Sequence, residues 1–283
     1  AWHINYNNPH IVVSSLHIAN VYTWLATRLL FFRKSYYIAQ IRSKASSMVG
    51  LEKWLNIRAL NSADIIITNS KLLISFTQEF FIQMKNKIIP INNGIKLEKT
   101  YRKNNTLVNI GIVAKDSVEK NIDLFIDLAI NLLSYKDNLH FHLCGRDLGS
   151  DSRLINKIPR RLIKFFTFHG EVDNPNNIYR LLDLYVSCSV SEGSPNVIIE
   201  SLSYGIPVVA TDVGGVSEIV FHGKNGFLVP SGDLKSLLKY CDILIDDNEL
   251  RSRIGENGKN FINQNYSQDK MVSEFSSIFN SFL

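Results

Sequence analysis

The sequence predicts an α/β fold with two doubly wound, parallel-sheet domains joined by a linker. Short apolar β runs alternate with longer amphipathic stretches along both parts of the chain. Continuous apolar strands separated by helices are typical of parallel βαβ units, because both faces of such a sheet are covered. A length of 283 residues is enough for two domains of the usual ~100–200 residues. A ligand crevice is then expected at the carboxyl ends of the strands.

The first predicted domain covers residues 1–92. Strands are predicted over 10–15, 36–41, 64–70 and 87–91, separated by helices over about 19–32, 51–60 and 72–83. Residues 93–106 are polar and charged and follow neither the helical nor the strand period, so we interpret them as a linker. About four strands are fewer than the second domain offers, and we expect the first Rossmann-like domain to be incomplete.

The second predicted domain, residues 107–266, has enough strands for a full Rossmann-like sheet. They are predicted over 108–114, 139–145, 164–170, 184–189 and 206–211. Between the first two, apolar residues recur at helical spacing from Ile122 to Leu133, which indicates an amphipathic helix. A final helix over 267–283 is expected to pack back onto the first domain.

Composition argues against several classes of protein. The sequence is 45% hydrophobic and 20% charged, as in an ordinary globular protein, and it has no run of 18 uncharged apolar residues that could span a membrane. The three cysteines, at 144, 188 and 241, show no metal or redox spacing, so we expect reduced thiols in a cytosolic protein. The fingerprints of dinucleotide oxidoreductases and P-loop proteins do not occur.

Charge is unevenly distributed along the chain. Residues 1–100 carry 12 Lys and Arg against 4 Asp and Glu, whereas the remaining 183 residues carry 19 against 22. A basic N-terminal part indicates an anionic neighbour, for which nucleic acid and an acidic membrane surface are both open at this point. A solvated basic face without any partner explains the same numbers.

The stretch SEGSPNVIIESLSYGIPVVAT, residues 191–211, combines a strand end with the start of a helix. Ser194 is the predicted N-cap, Pro195 is the predicted first helical residue, and Gly205 is expected to end the helix. Backbone N–H groups at such a start are unpaired and favour an anion, so a diphosphate is the expected ligand. Gly193 allows a ligand to approach closely.

Two carboxylates flank this helix start. Glu192 lies on the preceding loop, close to whatever is attached to the phosphates, and Glu200 lies one to two turns along the helix. A carboxylate in the second position can accept hydrogen bonds from a vicinal diol such as a ribose. Taken alone, the pair is equally well explained as solvated charges near a helix N-terminus.

Three other strand ends carry groups suited to the same ligand. Lys115 and Lys120 follow the strand at 108–114 and could clamp phosphates, although lysines on a solvated loop are the simpler explanation when taken alone. Gly214 and Gly215 permit backbone contact, and the loop HGEVDN (169–174) could offer main-chain groups to a base. Taken together, the four loops predict one anionic nucleotide site. The sequence has no Asp-x-Asp pair to hold a divalent cation, and the strand histidines His140 and His142 indicate packing more than a metal site.

In six motifs the chain resembles the family 4 glycosyltransferases of the GT-B fold. These retaining, group 1 enzymes assemble lipopolysaccharide, capsule and exopolysaccharide. The motifs are DIIITNS (64–70), NNGI (92–95), AKDSVEKN (114–121), HGEV (169–172), SEGSPNVIIESLSYGIPVVATDVGG (191–215) and NGFLVP (225–230). Their order and spacing are specific together, whereas each motif alone is not. The resemblance implies two Rossmann-like doubly wound domains, of which the N-terminal, acceptor-side one is incomplete in this chain.

The resemblance also implies roles for individual residues. Glu192 is expected to contact the donor sugar, and Glu200 the nucleoside ribose. Lys115 and Lys120 are expected to neutralise the diphosphate leaving group, which makes them catalytic together with Glu192. The donor-binding residues are completed by Gly193, Ser194, Pro195, Asn196, Val172, Gly214 and Gly215.

Two positions depart from the family pattern. Lys115 stands where relatives carry Arg, so the charge is kept but the bidentate fork is lost. Many relatives end the strand YIAQIRS (37–43) in a histidine at the place of Ile41 and Arg42, and we assign Arg42 to the acceptor side. No metal ion and no cofactor other than the donor substrate is expected.

The implied function is transfer of a sugar from a nucleotide diphosphate sugar to a hydroxyl of a growing cell-surface glycan, with retention of configuration. The expected partners are the donor and a glycan or polyprenyl-linked acceptor, with no nucleic acid. Cytoplasmic location is expected, with peripheral contact to the inner face of the membrane through the basic N-terminal part. Two alternatives remain open: a non-catalytic or truncated nucleotide-sugar-binding subunit, and a GT-B-fold epimerase acting on a nucleotide sugar.

Overall fold

The computed structural model describes residues 9–28, 35–42, 50–74, 88–97 and 107–283, and it forms two compact units. Unit 1 is Ala1–Gly94 together with Gln268–Leu283, and unit 2 is Ile95–Ser267. The end of the helix predicted over 19–32, the helix predicted beyond residue 74 and residues 98–106 of the predicted linker lie outside the described residues. Within those residues, no helix is long and apolar enough to cross a membrane.

Among the described residues, unit 1 has a four-stranded parallel sheet with helices between the strands. The strands lie side by side in chain order, as β1 (Ile11–Ser15), β2 (Tyr36–Ile41), β3 (Ile65–Thr68) and β4 (Ile88–Pro90). Helix α1 (His17–Arg28) connects toward β2, and α2 (Gly50–Asn61) toward β3. The C-terminal helix (Gln268–Asn280) belongs to the same unit.

The two central strands of the unit 1 sheet, β2 and β3, are buried on both faces. On one face Tyr37, Ala39 and Ile41 of β2 pack with Leu60 of α2. On the other face Ile38 packs with Ile67, Ile91 and Ile278 of the C-terminal helix. The division follows the period of two along β2, since successive side chains of a strand point to opposite faces.

Unit 2 contains a six-stranded parallel sheet in residues 107–267, all of which are described. The strands are β5 (Val108–Val113), β6 (Leu139–Cys144), β7 (Phe166–Gly170), β8 (Leu184–Ser187), β9 (Val208–Thr211) and β10 (Gly226–Val229), in the order β10-β9-β8-β5-β6-β7. The strand β10 was not predicted from the sequence. The other five agree with the predicted strands, and the prediction of an α/β fold with parallel sheets is confirmed.

Helices cover both faces of the second sheet. They are α3 (Ile122–Leu132), α4 (Asn176–Tyr179), α5 (Asn196–Ser203), α6 (Leu234–Asp246) and α7 (Asn248–Asn265), with 3-10 helices at Arg153–Lys157, Arg160–Phe165 and Gly214–Glu218. One cluster of buried residues joins the sheet to α3 and α6, and a second joins it to α4, α5 and α7. The sheet is therefore covered as a doubly wound fold requires.

The chain changes direction across this sheet between β5 and β8. From β5 it proceeds outward to β6 and β7, then returns to place β8 on the other side of β5. The loops that follow β5 and β8 lead to α3 and α5, which belong to different buried clusters on the sheet, so the chain reverses at the carboxyl ends of these two strands. Ligands of open α/β sheets bind at such a switch point.

Candidate functional site

An ion pair joins the two loops at the switch point. Lys120, after β5, places its Nζ atom 2.6 Å from Oε1 of Glu192, after β8. The backbones of the same loops are also connected, because the Val190 N–H donates to the Glu119 carbonyl at 2.8 Å. The fold thus brings together two predicted catalytic residues that lie 72 positions apart in the sequence.

The Glu192 carboxylate is fixed by a second donor. The Ser189 hydroxyl donates to the same Oε1 atom at 2.7 Å, and Ser189 is itself tied to β9, since Thr211 Oγ1 donates to its carbonyl at 2.5 Å. The side chain of Glu192 is only 8% exposed and that of Lys120 is 28% exposed. A carboxylate with so little access to water needs such charge-assisted hydrogen bonds, which also set its orientation.

The loop after β9 supports the backbone of the Glu192 loop. Gly214 has a φ of +57°, and a Cβ atom there would come within 1.8 Å of the Glu192 carbonyl oxygen. The N–H of Gly215 donates to the carbonyl of Gly193 at 2.9 Å. Both predicted glycines therefore lie at the site, where they contact the protein's own backbone.

Glu200 lies on α5 and is bonded to a buried tyrosine. The hydroxyl of Tyr179 donates to Glu200 Oε2 at 2.7 Å. Burial raises the pKa of Glu200, and the hydrogen bond from Tyr179 acts in the opposite direction. Burial is also the main reason that the pKa of Tyr185 is raised, and the charges of Glu192 and Glu200 both add to that rise. Tyr185 consequently lies near both carboxylates, which places them in the same region.

Helix α5 begins one residue later than the sequence predicted. Pro195 is the residue before the helix, with φ −74° and ψ 106°, and Asn196 is the first helical residue. The prediction of Ser194 as N-cap was therefore wrong, because the extended ψ of Pro195 keeps proline outside the first turn. Pro195, as the N-cap residue, offers no side-chain oxygen to this turn, and the N–H of Ile198 donates to the Pro195 carbonyl at 3.2 Å. The predicted helix end is confirmed, since Gly205 follows the helix with a φ of +71°.

Three other predicted site residues, Lys115, Val172 and Arg42, make different contacts from those of Lys120, Glu192 and Glu200. Lys115 is exposed on the loop after β5. The pKa of Glu119 on the same loop is lowered mainly by hydrogen bonds from the backbone of Glu119 and from the Ser117 side chain, and the charges of Lys115 and Lys120 add to this effect. Val172, after β7, packs against the buried cluster that includes α5. Arg42 belongs to unit 1, where it donates to Asn93 Oδ1 at 3.1 Å.

The two strand histidines lie in a polar network inside unit 2. His142 Nδ1 lies 3.0 Å from His169 Nε2, and its Nε2 lies 3.0 Å from Asn109 Oδ1. His140 Nε2 lies 2.8 Å from Thr167 Oγ1. In the described part of the chain, no group of three or more His, Cys, Asp or Glu side chains is arranged to hold a metal ion.

Sequence reasoning missed Ser189 and Tyr179. Ser189 was read only as part of a predicted strand, although a hydroxyl three residues before Glu192 at a strand end is a signal that could have been used. Tyr179 offered no such signal, because its helix has four residues and an aromatic residue in an apolar setting predicts a core position.

Two units, each with a parallel sheet, are the architecture of the GT-B fold. The solved structure of Anabaena HepE (Alr3699), determined in complex with UDP, matches the fold with a TM-score of 0.81 over 96% of this chain and 78% of that chain, at 19% sequence identity. This likeness concerns the fold. It confirms the GT-B architecture implied by the motifs.

The chain belongs to the family described as glycosyl transferases group 1, whose model matches residues 95–261. An uncharacterized glycosyltransferase of Methanocaldococcus jannaschii is 32% identical over 221 residues, which are 76% of this chain and 58% of the relative. The Staphylococcus aureus capsular polysaccharide biosynthesis glycosyltransferase CapM is 29% identical over 209 residues, or 68% of this chain and 54% of CapM. The chain thus spans a little over half the length of these relatives, and the sequence resemblance to the family is confirmed.

Proposed function

We propose that this protein is a retaining glycosyltransferase that moves a sugar from a nucleotide diphosphate sugar to an acceptor hydroxyl. The observation that carries the proposal is the Lys120–Glu192 ion pair at the switch point between β5 and β8. It places a cation for the diphosphate and a carboxylate for the sugar within hydrogen-bond distance of each other, where α/β folds bind their ligands.

Breaking the bond between sugar and phosphate develops negative charge on the diphosphate and positive charge on the sugar ring. Lys120, Lys115 and the N-terminal end of α5 stabilise the negative charge. The ammonium of Lys120 is bonded to Glu192, so a diphosphate that binds Lys120 exchanges with this carboxylate as its partner. Glu192 then positions sugar hydroxyls and offsets the positive charge of the ring.

The other donor contacts follow from the same geometry. Glu200 accepts hydrogen bonds from the ribose, while Gly193, Ser194 and Asn196 offer backbone contacts to the sugar and phosphates. We assign no metal ion and no cofactor to the reaction, because the two lysines and the helix start supply the positive charge that the leaving group needs.

We propose a cell-surface glycan as the acceptor, free or linked to a polyprenyl lipid, because CapM is named for capsular polysaccharide biosynthesis. The acceptor side includes Arg42, and unit 1 contacts the inner face of the cytoplasmic membrane peripherally. Exposed aromatic and basic residues support this contact. Trp54 is 49% exposed, and the Arg58 guanidinium lies 5.2 Å from its ring centroid, a combination suited to an anionic lipid–water interface.

A thermal-shift panel of UDP-, GDP- and ADP-sugars tests the donor assignment, with UDP first because HepE was solved with that nucleotide. A ligand at 100 times its Kd stabilises the folded state by about 2.7 kcal/mol, and we expect one donor to do so. The stabilisation should be lost in Lys120→Met and kept in Lys136→Met. Lys136 is a matched control, because it is also ion-paired, 2.5 Å from Asp246, but lies before β6, at the amino ends of the strands and away from the site.

An unchanged response of Lys120→Met to the donor would contradict the proposed role of the ion pair. The product separates the remaining alternatives. Transfer to a lipid-linked acceptor, with the anomeric configuration of the donor retained in the product by NMR, supports the proposal. Epimerisation of the nucleotide sugar without an acceptor would identify an epimerase, and binding without any product would identify a non-catalytic subunit.

A further inference from the structure

The side chain of Tyr179 is almost fully buried, and its hydroxyl donates a hydrogen bond to the carboxylate of Glu200. It is 1% exposed, and the hydroxyl donates to Oε2 of Glu200 at 2.7 Å. Its ring stacks on that of Tyr204, with centroids 5.7 Å apart and planes 26° apart. Among the residues that the structure describes, no second side chain bonds to the Glu200 carboxylate, so Oε1 is left for a ligand.

We propose that Tyr179 is a positioning residue, which holds Oε2 of Glu200 and thereby directs Oε1 to the ribose of the bound nucleotide. The inference rests on the proposed function, and it adds a residue through which the ribose is selected. Tyr179 itself does not touch the ligand in this assignment.

The geometry explains why one fixed oxygen is useful. A glutamate side chain has three rotatable torsions, and fixing them on ligand binding costs free energy that a pre-formed hydrogen bond removes in advance. A carboxylate has two oxygens, so the one bonded to a rigid, stacked phenol leaves the other with a defined direction. An acceptor with a fixed direction can distinguish the two adjacent hydroxyls of a ribose from the single hydroxyl of a 2′-deoxyribose.

The charge of Glu200 depends on the same contact. Burial raises the pKa of Glu200, whereas the bond from Tyr179 lowers it, so removal of the phenol oxygen should raise this pKa further. The other ionisable groups near Tyr179 are Tyr185 and Cys144, and Tyr185 in turn lies near Glu192. Helix α7 adds Lys259 beside Gly205, beyond the end of α5.

Tyr185 provides a matched control for a purely structural role. It is also fully buried, and its ring centroid lies 6.5 Å from that of Tyr179. Its hydroxyl, however, donates to the backbone carbonyl of Val113 at 3.2 Å and not to Glu200. Replacing either tyrosine with phenylalanine removes one buried hydroxyl from the same cluster, but only Tyr179→Phe releases the carboxylate.

The experiment measures binding to the full chain by titration calorimetry. The probes are UDP, GDP and ADP and, for the one that binds, its 2′-deoxy form. The proteins are wild type, Tyr179→Phe, Tyr185→Phe, Glu200→Ala and the double variant of Tyr179→Phe with Glu200→Ala. A pH series from 5 to 8 is recorded for wild type and Tyr179→Phe.

We expect Tyr179→Phe to weaken binding of the ribonucleotide about tenfold, the scale of one hydrogen bond to a charged group. Discrimination against the 2′-deoxy form should fall by a similar factor. In the Glu200→Ala background, Tyr179→Phe should change the Kd by less than about twofold, because the residue acts through Glu200. As the pH is lowered from 8 to 5, both proteins should lose affinity when Glu200 becomes protonated. This loss should begin at a higher pH in Tyr179→Phe than in wild type, because the pKa of Glu200 is higher in the variant.

Three results would overturn the assignment. One is an unchanged Kd in Tyr179→Phe although wild type binds a nucleotide. Another is an equal loss in Tyr179→Phe and Tyr185→Phe without a change in discrimination against the 2′-deoxy form. The last is a full effect of Tyr179→Phe in the Glu200→Ala background. If wild type binds none of the three nucleotides, the proposed function fails and the role of Tyr179 fails with it.

Discussion

Gly214 lies directly against the backbone of Glu192. A Cβ atom at Gly214 would come within 1.8 Å of the Glu192 carbonyl oxygen and 2.7 Å of its carbonyl carbon, and φ at Gly214 is +57°. Real Cβ atoms do not approach a carbonyl so closely, and L-residues rarely adopt this φ. The loop after β9 therefore packs directly against the loop that carries Glu192 and fixes the position of its backbone.

Replacement of Gly214 with alanine should displace the Glu192 loop and weaken donor binding. The matched control is Gly223→Ala, because Gly223 has a similar φ of +75° but nothing within 4 Å of a Cβ atom. We expect Gly223→Ala to lower the free energy of unfolding by about 1 kcal/mol through backbone strain alone and to leave nucleotide affinity intact. Gly214→Ala should lower both, as measured by urea unfolding and calorimetry with UDP. Equal effects of the two variants would show that the close contact has no consequence.

Neutralising Glu192 should separate nucleotide binding from sugar transfer. Glu192 is the ion-pair partner of Lys120, so under the proposed function it competes with a phosphate for this lysine, and its own charge repels the anion. Glu192→Gln removes both effects, so we expect UDP to bind about three- to tenfold more tightly, while transfer of the sugar is strongly reduced. Glu256→Gln, on the exposed side of α7, makes the same change in net charge and should alter neither. Weaker UDP binding to Glu192→Gln would show that the carboxylate does not compete for Lys120.

Much of the fold could be predicted because its strands are short and continuously apolar. All nine predicted strands are found, since parallel strands buried on both faces are recognisable without knowledge of their partners. The missed strand, β10, has four residues and begins at Gly226 directly after Asn225, a pair that predicts a turn. It forms nonetheless, because Gly226 packs closely on the Val208 carbonyl of β9.

The sequence could predict which loops form the site, but not the side-chain contacts within it. Lys120 and Glu192 follow adjacent parallel strands, so their meeting is a consequence of topology together with the family motif. The contact between Tyr179 and Glu200 spans 21 positions and depends on how α4 packs against α5. Neither periodicity nor strand order determines such side-chain packing, and the same holds for the start of α5, which the backbone of Pro195 decides.

Stability should fall as the pH drops below about 6.5, and His142 should account for part of that fall. Burial, with smaller contributions from His140 and His169, lowers the pKa of His142 from 6.5 to about 4. Between these values the unfolded chain binds a proton at this residue that the folded chain does not, so the stabilising contribution is complete above pH 6.5 and is lost toward pH 4. The full difference corresponds to about 3 kcal/mol.

Urea unfolding followed by far-UV circular dichroism at pH 4.5, 5.5 and 7 measures this contribution. The free energy of unfolding rises with pH in this range, with a slope of about 1.4 kcal/mol per pH unit for each proton that only the unfolded chain binds. We expect His142→Asn to lower this slope by up to that amount. The amide can still bond to Asn109, so the variant should fold at pH 7. If the slope is the same in the variant as in wild type, other groups carry the whole pH dependence.

The C-terminal helix should be a structural part of unit 1, and Ile278 is the residue that tests it. Ile278 is 8% exposed and packs with Ile38, Ile67 and Ile91 of the first sheet. Truncation to alanine leaves a cavity in this cluster, and we expect the free energy of unfolding of unit 1 to fall by about 2–3 kcal/mol. Val272→Ala is the control on the same helix, because Val272 is 51% exposed, and it should cost less than about 0.5 kcal/mol.

Tryptophan fluorescence makes this measurement specific to unit 1. All three tryptophans of the chain lie before residue 95, so their emission during urea unfolding reports the unit formed by Ala1–Gly94 and Gln268–Leu283. A midpoint shift in Ile278→Ala that is absent in Val272→Ala means that residues far apart in the sequence unfold as one cooperative body. Unshifted fluorescence in Ile278→Ala would instead mean that the helix is dispensable for the sheet it covers.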